Sequence, residues 1–117
     1  MKGWRLGLMR SDSATIQKFI PEKNSLFLLD HQAYPPEAAQ YWEWIQMGSP
    51  STSGQVMMSG ERIIVPDVEL KDDLRGTKDL EYYRLSKIRA VQATRLVSRS
   101  GRFIGMLSTH WRNVHQP

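Results

Sequence analysis

Residues 90–111 decide the fold: Ala90-Val91-Gln92-Ala93-Thr94-Arg95-Leu96-Val97-Ser98, then Arg99-Ser100-Gly101, then Arg102-Phe103-Ile104-Gly105-Met106-Leu107-Ser108-Thr109-His110-Trp111. Two β-rich runs flank Ser-Gly, a recognised two-residue turn signal. The reading is a long antiparallel hairpin of 90–98 and 102–111. Working towards the N-terminus, Arg62-Ile63-Ile64-Val65 is a short strand closed by Pro66. Ala14–Ile20 alternates polar and apolar residues, the period of a strand. Ser25–His31 is mostly apolar, a strand covered on both faces. Pro21-Glu22-Lys23-Asn24 joins these two as a turn, since Pro21 sets φ and Asn24 tolerates a left-handed conformation.

Helices fill the gaps between strands. Pro36 suits a first helical turn, and Ala38, Tyr41, Trp42 and Ile45 fall at i, i+3, i+4 and i+7, predicting one apolar helical face through Ile45. Ser53 is placed to cap a short helix through Ser59, with Gly60 as its stop. Residues 67–77 are polar and turn-like. Lys78–Leu85 fits a helix with Leu80, Tyr83 and Leu85 inward. Strands interrupted by helices, with hairpins at both ends, mean an α/β chain of the α+β kind: an antiparallel sheet of five to six strands with helices packed on it.

Composition excludes several chemistries. The 117 residues include no Cys, so this chain offers no disulfide, thiolate metal site, cysteine nucleophile or thioether cofactor link. No apolar run approaches the ~18 residues that cross a bilayer, and a cytoplasmic location without membrane contact is expected. A phosphate-cradling G-x-x-x-x-G-K-[ST] loop and a G-x-S-x-G elbow are both missing. The acidic run 67–73 lacks the alternating ligands and central Gly of a calcium loop. His31, His110 and His115 do not have zinc-site spacing, so no metal is expected. Gly101 and Gly105 report a tight turn and close strand packing.

The net charge is +4, unevenly spread: residues 1–81 carry 9 basic and 12 acidic side chains, and residues 82–117 carry 7 basic and none acidic. This permits an anionic partner. Charges scattered over strands and turns also protect sheet edges, and no basic block of the nucleic-acid-arm type is present. Nucleic acid is therefore not the expected partner.

The candidate site residues are Tyr41, Trp42, Asp67, Thr94, Thr109 and Trp111. The aromatic ones are either core or walls of a small-molecule pocket. Thr94 and Thr109 offer hydroxyls, or serve as β-formers. Asp67, following Pro66, either locks the loop through backbone N–H groups or touches a ligand.

Ser59-Gly60-Glu61-Arg62-Ile63-Ile64-Val65-Pro66-Asp67-Val68 and the run Lys87 to Trp111 resemble the GAF domains of bacterial sensor histidine kinases and related signalling proteins. Ala14-Thr15-Ile16-Gln17, Pro21-Glu22 and Ala33-Tyr34-Pro35-Pro36-Glu37 resemble that family's earlier segments. The resemblance runs from about Ser13 to Pro117. It implies a central antiparallel sheet, with a small-molecule pocket between sheet and helices. It also implies a sensory or regulatory role without catalysis, a ligand or protein partner, and a kinase or output domain. Residues 1–12 are then a leader and 13–117 the domain. The sequence departs from the family's usual Cys-Gly at Ser53-Gly54. It also lacks the flanking helices, and this leaves apolar area at Trp4, Leu6, Leu8, Phe103 and Trp111 for self-association as a homodimer. The alternatives are a cysteine-free relative of the GAF-fold enzymes that reduce free methionine sulfoxide, and a module that binds anions or nucleic acid through the basic hairpin. The reductase chemistry needs thiols that this chain does not have. The cofactor stays unassigned.

Overall fold

The computed structural model describes residues 10–115. Strands β1 (Ser13–Ile20), β2 (Ser25–Gln32), β3 (Trp44–Gln46), β4 (Ile63–Val65), β5 (Ala90–Val97) and β6 (Phe103–Trp111) form one sheet in the order β3-β2-β1-β6-β5-β4. Every neighbouring pair is antiparallel. Three helices, α1 (Pro36–Tyr41), α2 (Thr52–Ser59) and α3 (Lys78–Leu85), complete the α+β architecture. The expected strands and both hairpins are present.

The β5–β6 ladder runs from Ala90 opposite Trp111 to Val97 opposite Phe103, with a register shift at Leu96/Val97. The turn is longer than the Ser-Gly signal suggests. The Ser98 N–H donates to the Arg102 carbonyl at 2.9 Å, so Arg99, Ser100 and Gly101 form the loop. Gly101 sits at φ +84°, where a side chain would be strained. Asn24 takes the left-handed conformation expected of it, at φ 49°. Gly105 has a different task. A Cβ there would meet the Gln17 carbonyl oxygen of β1, so its bare backbone lets the two central strands close up.

Four local expectations are corrected. Strand β2 is not covered on both faces: Leu26 is buried but Leu29 is exposed, because the sheet's helices pack on one side of it. The helix predicted through Ile45 ends at Tyr41, and Trp44–Gln46 becomes edge strand β3, pairing Ile45 with Leu26 and Trp44 with Phe27. Pairing satisfies the backbone of β2, and Trp and Ile suit a strand at least as well as a helix. Ile45 still reaches the core. Ser51, not Ser53, caps α2, accepting from the Gly54 N–H at 3.2 Å. Leu85 is exposed, while Leu80 and Tyr83 are buried as expected.

The polar stretch 67–77 contains two single turns of 3-10 helix, Val68–Leu70 and Asp72–Leu74. They insert Val68 and Leu74 into a core built around Leu26, Val56, Val91 and Met106. Of the apolar area expected to remain open, Trp111 is buried: its indole N–H donates to the Arg10 carbonyl at 3.1 Å, and its ring stacks on His115. Trp4, Leu6 and Leu8 lie outside the described residues. Among the described residues, no helix is long and apolar enough to cross a membrane.

Candidate functional site

Side chains alternate across a strand, and here the alternation turns a polar row towards the helices. Ser13, Thr15 and Gln17 of β1 pair with His110, Ser108 and Met106 of β6. Above this row lie the first turn of α2, the Tyr34 ring, Trp42 and Tyr83. Together they enclose a cavity lined by Thr15, Gln17, Tyr34, Trp42, Ile45, Ser51, Ser53, Tyr83, Val91, Ser108 and His110. The space open to a water centre is about 20 Å³, room for one water molecule.

Hydrogen bonds hold the walls. Ser53 Oγ donates to Gln17 Oε1 at 3.2 Å and lies 3.0 Å from Ser108 Oγ. Tyr83 Oη accepts from the Thr52 N–H at 3.2 Å. His110 Nδ1 is 2.8 Å from Ser13 Oγ, and the His110 ring stacks under Tyr34 at 5.5 Å. Burial holds the His110 pKa down at about 3, so the imidazole is neutral. Burial also pushes the Tyr34 and Tyr83 hydroxyls up, keeping both protonated. The cavity therefore presents neutral donors and acceptors and no formal charge.

On the outer side of Trp42 lies a second, open cleft of about 240 Å³, lined by Tyr41, Trp42, Trp44, Ile45, Gln46, Ser49 and Asp79. The Asp79 carboxylate accepts from Trp42 Nε1 at 2.9 Å and from Tyr41 Oη at 3.2 Å. Burial, then this carboxylate, pushes the Tyr41 hydroxyl up to about 12.

The six sequence candidates divide. Trp42 lines both spaces and Tyr41 the outer cleft. Asp67 lines neither. It accepts from Arg89 Nε at 2.6 Å and Nη2 at 2.9 Å and from the Glu69 N–H at 3.0 Å, which locks the loop after β4. Thr94 and Thr109 lie in the alternate row on the opposite face of the sheet, beside Leu107 and Gln92. The buried Thr109 hydroxyl has no hydrogen-bond partner among the described residues. Trp111 is next in that row. Sequence reasoning missed Thr15, Gln17, Ser53, Ser108 and His110. For Thr15 and Gln17 the signal is the odd-numbered polar row of β1, and for Ser108 and His110 the even-numbered polar row of β6, neither of which alternation alone assigns to a face; Ser53 stood out only as the departure from the family's Cys-Gly.

No protein-family model matches the sequence, and no curated protein matches it. Solved structures do. The GAF domain of a phosphoenolpyruvate-protein phosphotransferase from Coxiella burnetii superposes with a TM-score of 0.72 at 14% identity, over 94% of this chain and 62% of its own. The fold is GAF-like. A domain described as belonging to a two-component sensor histidine kinase of Sinorhizobium meliloti is similar at TM-score 0.69 and 23% identity, covering 96% of this chain and 68% of that one. A free methionine-R-sulfoxide reductase from Neisseria meningitidis, in complex with its substrate, is similar at TM-score 0.70 and 20% identity. The GAF-like chain is covered over 96% of its length in that comparison, and spans 59% of the reductase.

Proposed function

We propose that this GAF-like chain is a sensory or regulatory module of signal transduction, binding a small polar ligand without catalysing a reaction, at the cavity between β1, β6 and α2, whose one-water space must widen by movement of the Tyr34 and α2 roof to admit it. The buried row of Thr15, Gln17, Ser53, Ser108 and His110 carries the reading. These neutral groups bond one another across the cavity, through Ser53 to Gln17 and Ser108 and through His110 to Ser13, and a ligand there would exchange those bonds for its own donors and acceptors. A GAF domain of a phosphotransferase and a domain of a sensor histidine kinase among the similar structures support a signalling role beside a kinase or output domain, which we place in the cytoplasm as part of the same proposal. The absence of Cys supports the non-catalytic reading, since thiol redox chemistry has no nucleophile in this chain.

The test is a thermal-shift screen of small amides, amino acids and oxyanions, followed by amide chemical-shift mapping of each hit. Binding should move the Ser53, Ser108 and His110 signals, and His110→Phe should remove it. Hits that map only elsewhere would overturn the cavity assignment. Turnover of free methionine-R-sulfoxide with a dithiol reductant would overturn the non-catalytic one.

We also propose a homodimer. Val97 and Ile104 are exposed and Phe103 is half-buried at the hairpin end, and this area suits a second copy. Analytical ultracentrifugation should give twice the chain mass at micromolar concentration, and a monomer throughout would refute this.

A further inference from the structure

The outer cleft has a composition different from the polar cavity. Its Asp79 carboxylate belongs to a residue only 7% exposed. Both of its side-chain donors, Trp42 Nε1 and Tyr41 Oη, are neutral, and among the described residues no cation pairs with it. Asp79 lies in the first turn of α3, whose partial positive end offsets part of the negative charge. A buried carboxylate without a full counter-charge is nevertheless costly, and a cation in the cleft would supply one.

The walls narrow the kind of cation. Tyr41, Trp42 and Trp44 all line the cleft. Tyr41 is held by stacking on Tyr82 at 4.0 Å and 3°, and it meets Trp42 edge-on at 5.3 Å. In a neighbouring hollow, outside the cleft, the Trp44 ring already takes an ammonium, the Lys23 Nζ at 5.4 Å from the centroid. Aromatic faces attract weakly hydrated organic cations. A divalent metal would want several oxygen ligands, and one carboxylate among indoles does not provide them. Among the described residues, no group of three or more His, Asp or Glu side chains could hold a metal.

We infer that the cleft formed by Tyr41, Trp42, Trp44 and Asp79 binds an organic ammonium group. The cleft's 240 Å³ suits a small methylated or primary ammonium head, below the ~300–1,000 Å³ of pockets for drug-sized ligands. Its open side lets a longer molecule extend into solvent. This site is distinct from the polar cavity and does not depend on it.

The probe is choline chloride, titrated into the full chain against a potassium chloride blank, with the indole N–H signals of Trp42 and Trp44 as readout. Saturable shifts of both are expected. The neutral isostere 3,3-dimethyl-1-butanol should bind about tenfold more weakly, since it lacks the charge that the aromatic faces and carboxylate attract. Trp44→Leu, at a partly exposed edge position, should weaken choline about three- to tenfold while the chain stays folded. Asp79→Asn should abolish the shifts. If that variant does not fold, the isostere and Trp44→Leu still decide. Equal affinity for choline and its isostere, indifference to Trp44→Leu, or no saturable shift at about 50 mM choline would each overturn the assignment.

Discussion

His110 Nδ1 lies 2.8 Å from Ser13 Oγ, a bond between residues 97 apart in sequence that joins the two central strands at the cavity floor. It keeps a neutral imidazole where a charged one would be unsupported, and a pH dependence follows. The His110 pKa is about 3 in the fold and ordinarily near 6.5. Above pH 6.5 the group is neutral in both states and adds no pH dependence. Between pH 6.5 and about 3 the unfolded chain takes up a proton that the folded chain refuses. Stability should then fall by up to about 1.4 kcal/mol per pH unit. Urea unfolding at pH 7.5 and pH 5 should show the loss, and His110→Gln should remove most of it. An unchanged slope in that variant would assign the dependence to other groups.

Ser53 bridges α2 to the sheet through Gln17 and Ser108. Removing its hydroxyl strands the Gln17 amide oxygen in a buried site. Ser53→Ala should cost about 1–2 kcal/mol by urea unfolding. Adding Ser108→Ala should cost less than the two single losses together, because both hydroxyls serve one network. Strict additivity would show that the serines act separately.

Gly105 and Gly101 answer to different constraints, so alanine at each should fail for a different reason. At Gly105 the new methyl meets the Gln17 carbonyl of the neighbouring strand. Gly105→Ala should therefore cost about 2–3 kcal/mol, at the upper end of overpacking penalties. At Gly101 the space is open and only the backbone angle resists. Gly101→Ala should cost about 1–2 kcal/mol. Equal and small effects would show that β1 and β6 can separate without penalty.

These positions also show what the sequence made legible. The β5–β6 hairpin could be read because turn residues and β-formers agree over some twenty positions, and each local preference matches the global pairing. Trp44-Ile45-Gln46 could not, since a three-residue edge strand has too few residues for a period, and its apolar spacing also fits the end of α1. Val68 and Leu74 were hidden because two isolated apolar residues among charges have no periodicity at all. The candidate cavity was the least legible. Alternation places Ser13, Thr15 and Gln17 on one face, but whether that face meets water or helices is a tertiary fact. Asp67 was legible in chemistry, as a loop-locking carboxylate, while its partner Arg89 lies 22 residues further on.

That partner makes Asp67 the group to test at low pH. The bonds from Arg89, together with the Glu69 N–H, hold the Asp67 carboxyl below its ordinary value of 3.8. A lowered folded pKa contributes stability that is fully present above pH 3.8 and disappears as the carboxylate takes up its proton at lower pH. This window lies at the foot of the one assigned to His110, so the two contributions separate on a pH series. Asp67→Asn keeps an oxygen for the Glu69 N–H and loses only the charge-assisted pair. It should flatten the acid limb below about pH 4 and leave the pH 6.5–5 limb intact. Asp67→Ala loses the cap as well, and should lower the melting temperature at pH 7 by about 3–6 °C, more than Asp67→Asn. Since Asp67 lines neither the cavity nor the cleft, ligand hits from the thermal-shift screen should survive Asp67→Asn. Loss of those hits with the melting temperature preserved would return Asp67 to the list of ligand contacts.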